Sequence, residues 1–248
     1  MKHPNYGFAD IHIHIMPGVD DGSESMEMTR RMFDIAMEQQ IETMILTPHY
    51  KRGHHNVSPE VQMCRIGDMN EMQRETYPDD SVPDLYPGNE IMYDSDVLED
   101  LENGRIKTLA DSSYILVEFR PWEQASYVRE ALRSLACEGY RVILAHCERY
   151  ECLHKDYSLI ENLYRNRIYL QVNADDVLPR FMAPVQRFVH RLLEDQLVSF
   201  VGTDAHKDQG RTPRMLECWN HLERHCDPDY VRDIMRENTL RVIRNEEV

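Results

Sequence analysis

The chain has 248 residues, 42% of them hydrophobic, which suits one large domain with a sizeable core. Its 28 basic and 44 acidic side chains give a net charge of −16, which excludes a nucleic-acid backbone as the expected partner, because that partner needs a basic footprint. No apolar run approaches the ~20 residues of a membrane span, and residues 1–5 lack a secretion leader's apolar stretch, so the expectation is a cytoplasmic protein without membrane insertion.

The first strand expected, over residues 8–15, holds Asp10-Ile11-His12-Ile13-His14. Side chains alternate along a strand, so an H-x-H pair puts both imidazoles on one face, where they can grip one metal ion. Ile11, Ile13 and Ile15 are expected to face the other way, into apolar packing. Asp20-Asp21-Gly22 follows in the loop. Further strands are expected over 43–47, 85–91, 114–119, 141–145, 168–173 and 198–203. Several are continuous apolar runs, as buried parallel strands require. Helical stretches alternate with them over 25–40, 59–75, 124–138, 158–166 and 184–195. The first carries Met28, Met32, Phe33, Ala36 and Met37 on one stripe. A short helix with a glycine stop covers 97–104, and helices over 214–225 and 228–236 close the chain. Repeated β–α units favour a parallel sheet, open or closed into a barrel, in a single domain over 1–248.

The ionisable residues collect at the C-terminal ends of these strands. His12 and His14 finish the first, with Asp21 in its loop, and His49 follows Thr47-Pro48. Glu90 lies in Pro87-Gly88-Asn89-Glu90, Glu118 ends Ile115-Leu116-Val117, and His146 ends Val142-Ile143-Leu144-Ala145. Asp204 and His206 follow Phe200-Val201-Gly202-Thr203. In a parallel barrel these ends meet at one mouth, where active sites are built. Buried carboxylates are costly unless paired or coordinated. Five His and four carboxylates therefore point to two or three metals, and imidazole with carboxylate suits manganese, iron or zinc.

Six cysteines form no C-x-x-C pair and read as reduced, mostly packed thiols. Cys218 and Arg224 have the C-x5-R spacing of a thiol phosphatase loop. Such a loop needs glycines to turn backbone N–H groups toward phosphate. The intervening Trp219-Asn220-His221-Leu222-Glu223 has none, so this stretch reads as a helix. The fourteen methionines read as core filler.

At this point the chain resembles a polymerase-and-histidinol-phosphatase (PHP) domain. More narrowly, it resembles the manganese-dependent protein-tyrosine phosphatases of bacterial capsule and exopolysaccharide clusters. The segments that carry the likeness are residues 10–14, 18–22, 47–49, 88–90, 117–119, 145–150, 171–173, 203–206 and 210–213, in order across nearly the whole chain. The resemblance implies a distorted seven-stranded (β/α)7 TIM-like barrel. It implies three adjacent metals: one held by His12, His14, Glu90 and Asp204; a second sharing Glu90 and adding Glu118 and His146; a third on Asp21, His49 and His206. Mn2+ is the expected ion, with Fe, Zn or Mg as alternatives.

Such metals lower the pKa of a water held between them. Arg149 and Arg211 follow metal-ligand candidates by three and five residues and are expected to hold phosphate as bidentate donors. The Lys51–His55 loop reads equally as a solvated charge run or a docking patch. The implied substrate is a phosphotyrosine protein, the tyrosine-rich tail of a bacterial tyrosine kinase. Two other readings compete: a small-molecule phosphoesterase, such as one for histidinol phosphate, and a metal-bound regulatory domain without turnover.

Overall fold

The computed structural model describes residues 3–78, 81–179 and 184–248. Met1 and Lys2, part of the segment tested above for a leader, lie outside them. Among the described residues, nine strands form two parallel sheets. One has the order β1 (Phe8–Ile13), β2 (Ile41–Leu46), β4 (Asp84–Tyr86). The other runs β3 (His49–Tyr50), β5 (Glu90–Met92), β6 (Tyr114–Glu118), β7 (Arg141–Leu144), β8 (Tyr169–Asn173), β9 (Phe200–Gly202). All ladders are parallel.

The seven expected runs become nine strands because one of them splits and one short strand, β3, lies beyond the expected run before it. Residues 43–47 give β2, and the chain re-enters the second sheet as β3 only after Thr47-Pro48. Residues 85–91 split into β4 and β5 around Pro87-Gly88-Asn89. Proline has no N–H for a ladder, so each break falls where pairing cannot continue. Polar side chains anchor the chain at both proline positions. Thr47 Oγ1 accepts the Ile13 N–H at 3.1 Å, and Asn89 Nδ2 donates to the Pro48 carbonyl at 2.9 Å.

The two sheets share an interior. A small apolar cluster joins Ile11, Ile45, Leu116, Ile143, Tyr169 and Phe200, one from each of six strands in both sheets. Ile13 and Ile15 instead join the larger cluster. All three isoleucines are buried in apolar packing as expected, divided between the two clusters. A bridge between Ile13 and Ala205 brings the end of β1 beside the segment after β9.

The expected helices are present, with ends moved by one or two residues in most cases. Ser25 caps α1 (Met26–Glu38), its side chain accepting the Met28 N–H, and Ser58 with Pro59 opens α2 (Pro59–Thr76). Between β5 and β6 sits α3 (Val97–Glu102), and α4 (Ala125–Cys137) follows β6. After β7 come two short helices, α5 (Glu151–Lys155) and α6 (Tyr157–Arg165). The single turn α7 (Ala174–Val177) precedes α8 (Pro184–Glu194). The stretch expected over 214–225 is α9 (Leu216–Leu222). The final helix outlasts its expected end at 236: α10 (Pro228–Arg232) passes through a π-turn at Asp233–Glu237 into α11 (Asn238–Ile243).

Candidate metal centre

All nine metal-ligand candidates come together, most of them at or just past the carboxyl ends of strands and two, His49 and Glu90, at the first residues of β3 and β5. Glu90, the first residue of β5 and 1% exposed, is their hub. Its Oε1 lies 2.7 Å from His146 Nε2. Its Oε2 lies 3.3 Å from His12 Nε2, 3.2 Å from His14 Nε2 and 2.9 Å from His49 Nδ1. Asp204 Oδ1 stands 3.6 Å from the Nε2 atoms of both His12 and His14, which are 3.1 Å from each other. Four donors about 2.1 Å from one ion in a tetrahedron have edges of roughly 3.4 Å. His12, His14 and Glu90 have that spacing, and Asp204 Oδ1 keeps it toward the two imidazoles.

Two further groups adjoin the first. His49, Glu90 and Glu118 converge, with His49 Nδ1 and His146 Nε2 each 3.6 Å from a Glu118 oxygen. His14, Asp21, His49 and His206 form the third group; Asp21 Oδ1 lies 3.2 Å from His49 Nε2 and 3.5 Å from His206 Nε2. The three groups overlap the expected ones without coinciding: His49 replaces His146 beside Glu90 and Glu118, His14 joins the third group as well as the first, and Asp204 and His146 lie alongside rather than within a group.

The donor chemistry fits cations. Glu90 Oε2 is buried with no hydrogen-bond partner among the described residues, and His146 Nδ1 likewise. An orphaned carboxylate oxygen ringed by imidazole nitrogens is costly unless a cation joins them. No cysteine belongs to any group, so the set is imidazole and carboxylate alone.

Hydrogen bonds fix which imidazole nitrogen faces inward. Gln171 Oε1 accepts the His146 backbone N–H at 2.7 Å, which identifies that atom as the oxygen. It also lies 3.1 Å from His12 Nδ1, which must therefore be its donor, leaving the Nε2 lone pair to the centre. Asp20 does the same for His14, with Oδ2 2.8 Å from Nδ1. His206 directs Nδ1 to the Asp204 backbone carbonyl at 2.9 Å, freeing Nε2.

Charge follows the same map. Burial drives an imidazole toward its neutral form, and it prevails at His146 and at His206, which falls to about 4 with His14 nearby. At His12, His14 and His49 burial acts in the same direction, but the surrounding carboxylates outweigh it and raise all three. Burial and then the Glu90 charge push Glu118 up to about 7. Asp20 resists burial and is held at about 2 by its bond to His14.

Two ligand candidates occupy strained backbone. His146 has φ of 31° and Asp204 of 51°, left-handed values uncommon outside glycine. Such strain clusters at functional sites, where it aims a side chain. Gly22 has another reason to be glycine: a Cβ there would sit 2.2 Å from the His14 carbonyl oxygen.

Arg149 and Arg211 do not stand as separate surface ion pairs. Each places an Nη2 on Asp204 Oδ2, at 2.8 and 2.6 Å, with side chains 38% and 48% exposed. Asp204 thus shows one oxygen to the imidazoles and the other to two guanidinium groups.

The sequence reading passed over Asp20, Gln171 and Asn173, which donates to Asp204 Oδ2 at 2.9 Å. Each belongs to a motif already quoted, and the signal was that a ligating histidine needs a partner for its second nitrogen. Asp10 sits beside the H-x-H pair but does not reach the centre. It accepts the Thr203 N–H at 3.0 Å and hydroxyl at 2.5 Å, fastening β1 to the end of β9. The Lys51–His55 loop is partly tied down, since Arg52 pairs with Asp96 at 2.8 Å. The C-x5-R stretch lies in and just after helix α9, and Cys218 is buried.

Residues 8–244 match the family model for capsular polysaccharide synthesis, CpsB/CapC. The chain belongs to the CpsB/CapC family. Tyrosine-protein phosphatase CpsB of Streptococcus pneumoniae is 28% identical over 242 residues, covering 96% of this chain and 98% of that relative. Tyrosine-protein phosphatase YwqE of Bacillus subtilis is 29% identical over 243 residues, covering 96% and 92%. The solved structure of the metal-dependent tyrosine phosphatases YwqE and CpsB aligns with a TM-score of 0.88 at 28% identity, covering 97% of this chain and 96% of that one. The expected activity is the one these relatives carry. No helix among the described residues is long and apolar enough to cross a membrane.

Proposed function

We propose that this CpsB/CapC chain is a metal-dependent protein-tyrosine phosphatase, a phosphoric monoester hydrolase acting on phosphotyrosine in a protein. The observation that carries the reading is Glu90: a buried carboxylate with one oxygen unpartnered and four imidazoles within 3.3 Å. His12, His14, Glu90 and Asp204 would hold one divalent ion. Glu90, Glu118 and His146 would hold a second, and Asp21, His49 and His206 a third, with Mn2+ as the proposed metal.

When bound, divalent cations supply Lewis acidity toward phosphoryl oxygens and activate water. The chain's own residues supply position and charge. Gln171 and Asp20 hold His12 and His14 with their Nε2 atoms inward. His12, then His14 and Arg149, hold the Asp204 carboxyl well below its ordinary range against burial, and the remaining N–H groups of Arg149 and Arg211 have no carboxylate partner among the described residues. Those groups are the proposed phosphate donors, since preorganised cations at a transferring phosphoryl group stabilise charge on its oxygens.

Further parts of the proposal rest on the family. The substrate is the tyrosine-rich tail of a bacterial tyrosine kinase that governs polysaccharide export, and the protein acts in the cytoplasm as one domain over 1–248. A seven-stranded barrel is the proposed architecture. Its support is that β2 with β3, and β4 with β5, each read as one interrupted strand, and that Ile13 bridges to Ala205 beyond β9. Metal analysis of purified protein, with turnover compared on a phosphotyrosine peptide and on histidinol phosphate, tests the reading. Bound divalent metal with preference for the peptide is expected; preference for histidinol phosphate would overturn the tyrosine assignment, and metal without any turnover the enzymatic one.

A further inference from the structure

Three of the strand ends that reach the centre run on into a second feature. Past His49 come Lys51 and His54, past Glu90 come Met92 and Tyr93, and past Glu118 come Phe119 and Arg120. These residues line a groove of about 420 Å³, closed on its far side by Tyr127 in the first turn of α4. Backbone pairing joins the groove to the centre: Met92 is registered with Glu118, and the Tyr93 N–H donates to the Glu118 carbonyl at 3.0 Å.

One wall of the groove is aromatic, while most of the rest of its lining is charged, including Arg52, Asp94 and Glu123. The Tyr93 ring lies 5.2 Å from Phe119 and 5.7 Å from Tyr127, the latter nearly edge-on at 73°. Phe119 is 3% exposed and serves as backing, whereas Tyr127 is 41% exposed, one of five large hydrophobic side chains that reach that level among the described residues. Another of the five, Trp122, belongs to the turn just before α4. Large apolar side chains left open beside a cluster of ionisable groups mark a binding surface.

Spacing selects the occupant. A strand advances about 3.3 Å per residue, so Met92 lies roughly 7 Å beyond Glu90 along β5. A phosphate seated at the centre would carry an attached aromatic ring over that distance, while a phosphate on a short alkyl chain would stop before the aromatic wall. Edge-to-face and offset contacts reward a ring over an aliphatic chain.

Building on the phosphatase reading, we infer that the groove of Tyr93, Phe119 and Tyr127 seats the aromatic ring of the substrate's phosphotyrosine and makes the site selective for aryl over alkyl phosphates. Tyr127 is then a specificity-determining residue that holds no metal and moves no proton.

The test uses metal-loaded protein turning over a phosphotyrosine peptide, inhibited by phenylphosphonate or by methylphosphonate. Both inhibitors present the same anion, so the ratio of their inhibition constants isolates the ring. The wild type is expected to favour phenylphosphonate, and Tyr127→Ala to shrink that preference about three- to tenfold with methylphosphonate unchanged. Tyr127→Phe should restore it, and metal content should not move. Equal inhibition of the wild type by the two phosphonates would overturn the inference, as would an equal weakening of both in Tyr127→Ala. An effect of Tyr127→Ala confined to peptide turnover, with phenylphosphonate unchanged, would overturn it in favour of a groove for flanking residues. Metal-loaded wild type with no turnover of the peptide is a different failure, that of the phosphatase reading itself.

Discussion

Gln171 accepts a hydrogen bond from His12 Nδ1 over 3.1 Å, joining residues 159 positions apart, and the same oxygen takes the His146 N–H. One side chain thereby sets the tautomer of one candidate ligand and the backbone of another. Replacing Gln171 with Leu should lower metal affinity roughly 10- to 100-fold, the usual cost of losing a ligand's hydrogen-bond partner. Metal titration beside circular dichroism checks this. A folded Gln171→Leu protein with wild-type affinity would show that His12 needs no orientation.

Glu90 should be the carboxylate whose loss costs most metal. Four imidazoles lie within 3.3 Å of it, whereas Asp21 is 70% exposed and touches two. Removing Glu90 also leaves neighbouring cations less screened from one another. Stoichiometry measured in Glu90→Ala and Asp21→Ala should fall further in the first. Equal losses would refute a shared ligand at Glu90.

Arg149→Ala and Arg211→Ala should each keep metal, because the other arginine still pairs with Asp204. Turnover of a phosphotyrosine peptide should drop about 10²–10³-fold in each, the scale for losing one preorganised donor. Lys should rescue only in part, since a point charge does not reproduce the guanidinium fork. The double Ala variant should lose metal as well, because Asp204 then keeps only Asn173 on that oxygen. Near-normal rates in both single variants would leave the arginines a purely structural role.

Chelation should abolish turnover, and added Mn2+ should restore it. Cys218→Ser should leave turnover unchanged, because burial pushes that thiol far above its ordinary range and no phosphate loop surrounds it. A folded but inactive Cys218→Ser protein would revive a thiol mechanism, as would full activity after chelation.

Much of the centre was legible from local pattern. H-x-H on a buried strand, single His and Glu residues at the ends of apolar runs and the late D-x-H each state their chemistry in a few residues. Strand alternation and the rule that parallel strand ends converge then gather them. The glycine-free C-x5-R stretch was readable as helix on the same grounds. Long-range relations were not legible, because no local period encodes them. That Asp10 would fasten to Thr203 while Asp20 orients His14 depends on which strand lies next to β1. That Arg149 and Arg211 meet on one oxygen of Asp204 depends on the left-handed backbone at Asp204, which its side chain does not announce. The prolines at 48 and 87 were visible in the sequence, but that the run 85–91 splits around Pro87 and that a further short strand follows Pro48 emerged only in the fold, where Thr47 bonds to Ile13 and Asn89 to the Pro48 carbonyl. Sequence thus determined the candidate donors and most of the strands that carry them. Tertiary structure alone decided the partners, because hydrogen bonds between residues 25 to 193 positions apart exist only once the two sheets close on a common interior.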